Sequence, residues 1–326
     1  MRLAILGAGK IARKMAQTIA GLKDRGIEAY AVASRDGKKA QEFAREWGFT
    51  TSYGSYEELL ADSRMDLVYV ATPHSHHREH AIMCLDRKKA VLCEKAFSLN
   101  AGEARDMVEA SQRNSTLLAE AIWTRYMPMR RKIDELIASG IVGKGTSLTA
   151  NLGYPLEHVE RMREPALAGG ALLDLGVYTI NFALMCFGHD IAALQTSCTR
   201  LETGVDAIGN ISLAYTDGRF ADLHFTMKSA TDRRGMLFGD KGYIEVQNIN
   251  NPEVVRVFNP QHECIATYEA PPQVTGYEYE VLACQKALEA GALECPDMPH
   301  SETIRVMELM DQVRAVWGIR YPQEDT

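Results

Sequence analysis

The chain has 326 residues, of which 46% are hydrophobic and 24% charged, and its formal net charge at pH 7 is −7. This composition is typical of a folded globular protein, and the length favours two domains, because single cores usually stop growing near about 250 residues. The acidic balance argues against nucleic acid or an anionic membrane surface as a partner. No run approaches the ~18 uninterrupted apolar residues needed to span a bilayer. The seven cysteines are scattered and form no CxxC pair, which predicts free thiols and a cytoplasmic location.

The first 122 residues alternate between short apolar runs and helical stretches. Four runs, RLAILG, IEAYAVAS, DLVYVAT and AVLCE, are separated by amphipathic segments such as KIARKMAQTIAGLKD. Alternation of this kind is typical of a parallel sheet with helices on both faces. We therefore predict an α/β dinucleotide-binding domain with a Rossmann fold over residues 1–122.

From about Gly143 the pattern changes to longer strands with period-two alternation, among them TSLTANLGY, AALQTSCTRL and RFADLHFTM. These strands predict a large, mainly antiparallel open sheet within a C-terminal α/β domain over residues 123–326. Two helical stretches close the chain, and we expect the last helix to pack back on the Rossmann domain. Its apolar stripe consists of Ile304, Met307, Leu309, Met310, Val313 and Val316.

The first chemical motif is the G-x-G-x-x-A element Gly7–Ala12, which follows the first strand directly and opens a helix. In such a turn the first glycine permits the tight bend, and the second lets the backbone approach a pyrophosphate. A plain glycine turn is the alternative. Its place at the very start of a strand–helix unit favours the dinucleotide reading, with Gly7, Gly9, Lys10 and Ile11 at the cofactor.

The end of the second strand indicates which dinucleotide binds. An NAD-binding unit usually carries an acidic residue here for the ribose 2′-hydroxyl, whereas this chain has Ser34-Arg35 followed by Lys38 and Lys39. A guanidinium and a hydroxyl suit a 2′-phosphate. NADP is therefore favoured over NAD, although Asp36 weakens the argument and the lysines could simply begin a solvated helix.

Four histidines lie within Thr72–His80, and His76 with His80 has the i, i+4 spacing of helical zinc ligands. We predict no metal site, because no cysteine or carboxylate partner is evident. The segment follows a strand of the dinucleotide fold and should border the cofactor at the carboxyl edge of the sheet. Glu94-Lys95 ends the next strand at the same edge. The predicted cofactor contacts from these segments are Thr72, Pro73, His74, His77, Glu94 and Lys95.

Later in the chain, DLGVYTIN places Asp174 and Tyr178 four residues apart on one helix face, with Asn181 three residues further on. A polar face on an otherwise apolar helix needs partners or a ligand. Trp123 and Arg125 lie where the first domain leads into the second, a usual place for a ligand cleft. Trp123 could line such a cleft or fill the interdomain core.

Together these motifs resemble the glucose-fructose oxidoreductase / inositol dehydrogenase / rhizopine-catabolism (Gfo/Idh/MocA) family over nearly the whole chain. The resemblance rests on the glycine turn, Ser34-Arg35, Thr72-Pro73 with His77, Glu94-Lys95, and Gly169–Tyr178. It extends to the segment Pro299–Ile304. Ala96 replaces the proline that commonly follows the lysine. Many relatives have histidine where Tyr178 stands, and this tyrosine, with WTRY after AEAI, resembles the dimeric dihydrodiol dehydrogenase / D-xylose dehydrogenase branch.

The resemblance implies an NADP-dependent dehydrogenase or reductase for a sugar, polyol or trans-dihydrodiol, and a homodimer formed through the C-terminal sheet. We interpret Tyr178 as the general acid/base, Lys95 as the cation that stabilises its phenolate, and Asp174 as a residue that orients the substrate or Lys95. Substrate contacts are expected from Lys95, Trp123, Asp174, Tyr178 and Asn181, and further cofactor contacts from Trp123 and Arg125.

Several alternatives stay open from the sequence. Tyr178 could be a core tyrosine with a satisfied hydroxyl, and Asp174 could belong to an ion pair within its helix. At the level of function, the chain could be a sugar–sugar oxidoreductase that retains its NADP, or a regulatory protein that binds NADP without turnover. The substrate itself is not specified, because loops such as 154–163 select it by shape.

Overall fold

The computed structural model describes residues 1–325, which divide into two compact units. The first unit is formed by Met1–Tyr126 and Pro272–Met307, and the second by Met127–Pro271 and the chain from Glu308 onwards. The first unit thus includes the stretch 272–307, which the sequence pattern placed in the second domain.

The first unit begins with a regular alternation of strands and helices. Its elements are β1 (Arg2–Leu6), α1 (Lys10–Ala20), β2 (Glu28–Ala33), α2 (Gly37–Trp47), β3 (Thr51–Tyr53), α3 (Tyr56–Ala61), β4 (Leu67–Val70), α4 (His77–Asp86), β5 (Ala90–Glu94), α5 (Ala101–Asn114) and β6 (Leu118–Ala121). The six strands pair in parallel in the order β3-β2-β1-β4-β5-β6. This order is that of a dinucleotide-binding sheet and confirms the predicted Rossmann fold. The short elements β3, α3 and β6 were not foreseen.

The remaining elements form the sheet of the second unit and the closing helices. They are α6 (Pro128–Ala138), β7 (Gly145–Gly153), α7 (Glu160–Arg163), α8 (Val177–Phe187), β8 (Ile191–Arg200), β9 (Asp206–Tyr215), β10 (Phe220–Thr226), β11 (Gly235–Gly239), β12 (Gly242–Val246), β13 (Val254–Phe258), β14 (Cys264–Glu269), α9 (Glu278–Glu289) and α10 (His300–Trp317).

The second sheet has eight strands in the order β14-β13-β12-β11-β7-β10-β9-β8. Only β7 and β10 pair in parallel, and the other neighbouring strands are antiparallel. The large, mainly antiparallel sheet is therefore confirmed. The sequence pattern missed β11, whose five residues GMLFG begin and end with glycine. In β10, buried and exposed residues alternate over most of the strand, as expected for a sheet with one covered face.

The covered face of this sheet packs against the helix that carries Asp174 and Tyr178. The helix begins with a π-helical turn, Leu172–Gly176, and continues as α8, which contacts β7 and β10. Within residues 1–325, the stretch Pro165–Phe187 is the one helical segment long and apolar enough to cross a membrane by length and composition. Its most apolar window is 94% buried inside the protein, as in the core helix of a folded domain.

Two details of the predicted side-chain pattern can be compared with the structure. All seven cysteines are free thiols, as expected, while the cytoplasmic location stays a prediction. The apolar stripe predicted for the last helix is wrong at Val316, whose exposed fraction is 63%. Val306 and Trp317 are buried instead, because the buried face of α10 is rotated away from position 316.

A buried carboxylate ties together the β2–β3 edge of the first sheet. Asp62, just after α3, accepts hydrogen bonds from the hydroxyls of Tyr30 (2.6 Å) and Tyr53 (2.7 Å) and from two guanidinium nitrogens of Arg64. The Arg64 hydrogen bond is the largest of the effects that hold the pKa of Asp62 well below its usual range. The ionised carboxylate is therefore the form that the fold selects.

Replacing this carboxylate should destabilise the first unit. For Asp62→Asn we expect a loss of about 2 kcal/mol in the free energy of unfolding at pH 7, because four donor groups on three side chains lose a charged acceptor. The native pKa is depressed, so the stabilisation is present above the unfolded-state pKa, near 4, and is lost as the pH falls below it. Urea denaturation at pH 7 and at pH 3.5 measures both effects. The control is Asp106→Asn, which removes a half-exposed ion pair with Arg78 and should cost under about 1 kcal/mol. Equal losses for the two variants would contradict the argument.

Candidate active site

The turn between β1 and α1 is shaped for the close approach of a ligand. Gly7 has a φ of +105°, and a side chain there would lie 2.9 Å from the carbonyl oxygen of Ala71. A Cβ added at Gly9 would meet no atom within 4 Å, so the missing side chain leaves open space beside the turn. Gly9 caps α1 without a side-chain hydrogen bond, which leaves the first amides of the helix to bind an anion. The predicted contacts Lys10 and Ile11 form the first turn of α1 and are not buried. These features fit a dinucleotide pyrophosphate.

The end of β2 presents a cation. Arg35 is exposed, and within residues 1–325 its guanidinium makes no hydrogen bond or ion pair. The neighbouring Asp36 caps α2. Its Oδ1 accepts hydrogen bonds from the backbone N–H groups of Lys38 (3.0 Å) and Lys39 (3.2 Å) at the start of that helix. Ser34 is nearly buried, and its Oγ accepts the Asp36 N–H. The acidic residue that weakened the NADP argument is thus a helix cap.

The loop after β4 is held in place by His77. Its side chain is fully buried, with Nδ1 lying 2.8 Å from the carbonyl oxygen of Ala96 and Nε2 lying 2.8 Å from that of Thr72. Burial lowers the pKa of His77 to about 4, against the opposing effect of the backbone carbonyls. His77 therefore joins the end of β4 to the turn after Lys95, and its side chain positions these segments rather than contacting a ligand. His74 is also buried and packs edge-on against His77, while Thr72 and Pro73 remain partly accessible.

Glu94 and Lys95, adjacent at the end of β5, differ in their surroundings. The Glu94 side chain is 5% exposed and accepts a hydrogen bond from the hydroxyl of the fully buried Tyr69. It therefore lies mainly within the fold, and its part in cofactor binding stays a prediction. Lys95 is partly accessible, and the Lys95–Ala96 peptide is cis. Of this pair, Lys95 is the side chain that could reach a ligand.

The 3₁₀ turn Trp123–Tyr126 places both of its predicted site residues mainly inside the first unit. Trp123 is 8% exposed and stacks on Tyr277 with ring centroids 4.3 Å apart. Arg125 is 6% exposed and directs Nη1 and Nη2 to a single oxygen of Glu302 at 3.3 Å. Because this guanidinium is buried in an internal ion pair, the prediction that Arg125 contacts the cofactor is not supported.

In the second unit, the helix that follows Gly169-Gly170 carries the other predicted residues. Tyr178 is 6% exposed, and Asp174 lies in the π-helical turn instead of a regular α-helix. One nitrogen of Arg161, Nη2, lies 3.1 and 3.3 Å from the two Asp174 oxygens, so Asp174 pairs with a residue outside its own helix. Asn181 is fully buried and donates to the Val177 carbonyl. Its predicted substrate contact is therefore not supported.

Two positions that hold this helix were missed by sequence reasoning. Asp206, at the start of β9, is buried and accepts the Leu172 N–H at 2.6 Å. A side chain at Gly170, which has a φ of +121°, would collide with the Asp206 carboxylate. Burial raises the pKa of Asp206 to about 6. Asp206 and Arg161 lie 34 and 13 residues from their partners, so no local spacing could have indicated them.

Comparison with known proteins agrees with this geometry. Residues 1–121 match the family model described as an oxidoreductase family with an NAD-binding Rossmann fold, and residues 130–245 match the GFO/IDH/MocA C-terminal domain. The chain belongs to the Gfo/Idh/MocA oxidoreductase family. It is 32% identical to the trans-1,2-dihydrobenzene-1,2-diol dehydrogenases of Mus musculus and Danio rerio, with 99% of both chains covered in each case.

Solved structures of the family share the fold over its full length. A 3-ketoreductase from Actinomadura kijaniata, in complex with NADP and TDP-benzene, has a TM-score of 0.86 and 25% identity, with 97% of both chains covered. Levoglucosan dehydrogenase in complex with NADH and levoglucosan has a TM-score of 0.87 at 17% identity, with 99% of both chains covered. The family member described here is therefore a dehydrogenase or reductase of CH–OH groups with an NAD(P)-binding Rossmann fold.

The role of His77 generates a stability prediction. His77→Phe keeps a ring of similar size but removes the single N–H of the neutral imidazole, which one of the Thr72 and Ala96 carbonyls accepts, and we expect the free energy of unfolding to fall by about 1–3 kcal/mol. Urea denaturation measures this loss. The control is His224→Phe, at an exposed position of β10. It should change the free energy of unfolding by less than about 0.5 kcal/mol. A similar small change for His77→Phe would show that the two carbonyls do not depend on the imidazole.

Proposed function

We propose that this protein is an NADP(H)-dependent dehydrogenase or reductase acting on a sugar, polyol or trans-dihydrodiol. The observation that carries the cofactor assignment is the exposed Arg35 at the end of β2, whose guanidinium has no hydrogen bond or ion pair within residues 1–325. The adjacent Asp36 caps α2 through its Oδ1, which accepts the Lys38 and Lys39 N–H groups. A free guanidinium there favours a 2′-phosphate.

The substrate class is supported by the relatives. The vertebrate relatives are named for a trans-dihydrodiol, and the bacterial 3-ketoreductase was solved with NADP and TDP-benzene. The names of these enzymes, a dihydrodiol dehydrogenase and a 3-ketoreductase, share a carbon that is oxidised or reduced at a hydroxyl or carbonyl oxygen. A substrate of this kind requires a group that exchanges a proton with the oxygen while hydride is transferred at carbon.

We assign this proton transfer to Tyr178, the role that the family resemblance implies for it, and Lys95 stays the predicted catalytic cation. Tyr178 is nearly buried, and the first turn of its helix is held by the hydrogen bond from the Leu172 N–H to Asp206. Asp174 pairs with Arg161, and we propose that it orients the substrate hydroxyls. When bound, NADP(H) supplies or accepts the hydride at the nicotinamide C4.

We also propose that the protein is a homodimer in which the open face of the second sheet forms the interface. Phe220 and Ile265, in β10 and β14, are 41% and 52% exposed, and Tyr243 stacks on Phe258 across neighbouring strands. Large hydrophobic groups on an open sheet face are suited to a self-complementary contact. Light scattering on the purified protein gives the mass that tests this.

Tyr178→Phe should lower kcat by about 10²–10⁴-fold, since it removes the proton-transferring group and little volume. The dissociation constant for NADPH should stay within about twofold, because no cofactor contact is assigned to the hydroxyl. Steady-state kinetics on the best compound from a panel of aldoses, ketoses, inositols and trans-dihydrodiols provides the test. Tyr215→Phe is the matched control, because its buried hydroxyl has no hydrogen-bond partner in residues 1–325. Turnover of Tyr178→Phe equal to that control would remove Tyr178 from the mechanism.

Arg35→Ala should lower kcat/KM for NADPH by about 10²-fold and leave kcat/KM for NADH nearly unchanged. Only NADPH has a 2′-phosphate, so only NADPH loses a charge-assisted hydrogen bond in this variant. Arg45→Ala, an exposed arginine on α2, is the control. Wild-type preference for NADH would overturn the cofactor assignment, whereas NADPH preference that survives in Arg35→Ala would reject only the residue.

A further inference from the structure

Two histidines that the proposed reaction does not use form an aromatic cluster with a tyrosine. His76 and His80 stack with ring centroids 5.5 Å apart and an interplanar angle of 19°. The ring of Tyr56, at the start of α3, meets His80 edge-on at 4.8 Å. His80 Nδ1 lies 3.0 Å from the Thr72 hydroxyl. We refer to Tyr56, His76 and His80 as the imidazole cluster.

The imidazole cluster lies beside the cation at the end of β2. The charge of Arg35 is close enough to act on both Tyr56 and His80. In the sheet, β1 lies between β2, which Arg35 follows, and β4, which His76 follows. The cluster and Arg35 therefore flank the glycine turn at the carboxyl edge, where a dinucleotide binds.

The imidazole cluster contains hydrogen-bond donors that are not used within residues 1–325, and no carboxylate offsets the charges that act on His80. His76 uses Nδ1 toward Ser75, and its Nε2 and the Tyr56 hydroxyl have no hydrogen-bond partner within residues 1–325. Burial lowers the pKa of His80 to about 4, and the charges that act in the same direction are those of His76, His77 and Arg35. The carboxylate that acts on Tyr56 is Glu57, and no carboxylate contributes at His80. Groups that repel one another's charge in this way are relieved by an anion.

We propose that Arg35, Tyr56, His76 and His80 together bind the adenosine 2′-phosphate, and that an imidazole of the cluster takes up a proton when the phosphate binds. This inference rests on NADP(H) being the cofactor. The Arg35 guanidinium, the Tyr56 hydroxyl and an imidazolium N–H donate to the phosphate oxygens, and the proton comes from the solvent. His76 and His80 thus become specificity-determining residues, which sequence reasoning considered and rejected as zinc ligands and placed in a segment bordering the cofactor.

The sign of the proton exchange separates this arrangement from a simpler one. A phosphate monoester has a second pKa near 6, and binding to Arg35 alone would favour its dianion and release a small fraction of a proton at pH 7. Burial keeps the His80 imidazole neutral at that pH. A neighbouring phosphate dianion favours the imidazolium, so the cluster takes up a proton instead. NAD⁺ has no 2′-phosphate and should exchange none.

Isothermal titration calorimetry of the full chain with NADP⁺ and NAD⁺ at pH 7.0, in buffers of different ionisation enthalpy, measures the number of protons exchanged. We expect uptake of up to about one proton for NADP⁺ and none for NAD⁺. His76→Asn with His80→Asn should abolish the uptake and weaken NADP⁺ binding by about tenfold, the worth of one charge-assisted hydrogen bond. NAD⁺ affinity should stay within twofold, which also reports that the variant is folded.

His262→Asn is the matched control, because His262 lies on an exposed turn with a φ of +63°, a conformation that asparagine tolerates. It should leave the uptake unchanged. Tight NADP⁺ binding with proton release, or with no exchange, would overturn the role of the imidazoles and leave the proposed cofactor in place. If NAD⁺ binds and NADP⁺ does not, both the role of the imidazoles and the proposed cofactor are overturned. The wild-type measurement decides the question even where the double variant is unstable.

Discussion

The turn after β1 passes so close to the end of β4 that only glycine fits at position 7, where an added Cβ would lie 2.9 Å from the Ala71 carbonyl oxygen. This approach sets the spacing between the two segments that flank the turn, the Arg35 loop and the Thr72–His76 loop. The site depends on it, because the donors at the carboxyl edge come from separate strands. Parallel pairing through β2, β1, β4 and β5 brings their ends to one edge, and His77 then fixes the β4 loop to the Lys95 turn.

How far the sequence predicts such a site depends on whether the chemistry is local. The glycine turn, Ser34-Arg35 and Lys95 follow strands recognisable from their own residues, and the fold and family that they indicated are confirmed. The Arg161–Asp174 pair and the cap from Asp206 join residues that only the tertiary fold brings together. Tyr56 contacts His80 from a helix that the apolar pattern did not reveal, since α3 has six residues and little periodicity.

Charged residues at strand ends are ambiguous for a physical reason. Glu94 and Lys95 are adjacent, and alternation along a strand sends their side chains to opposite sides. Glu94 bonds to Tyr69 in the interior, and Lys95 is left partly accessible. Arg125 shows the same ambiguity, because its pairing with Glu302 requires the stretch 272–307 to join the first unit. Burial lowers the pKa of Arg125 and raises that of Glu120 to about 7. Of the groups in this polar core, Glu94 and Arg125 are the two that sequence reasoning placed in the site itself.

The distribution of charge explains how an acidic chain can favour an anionic cofactor. The net charge of −7 repels a dinucleotide phosphate at long range, but salt screens exposed charges within about 8–10 Å, so short-range groups decide binding. At the carboxyl edge, the acidic residue next to Arg35 in the chain is Asp36. Its carboxylate accepts hydrogen bonds from the backbone amides at the start of α2. Arg35 is then the uncompensated charge beside the glycine turn, and the His80 imidazole is held neutral by burial and by neighbouring charges that include Arg35. Under the proposed proton uptake, such a site would gain positive charge only when a phosphate binds, and it would favour the 2′-phosphate over a hydroxyl without a permanent cluster of repelling cations.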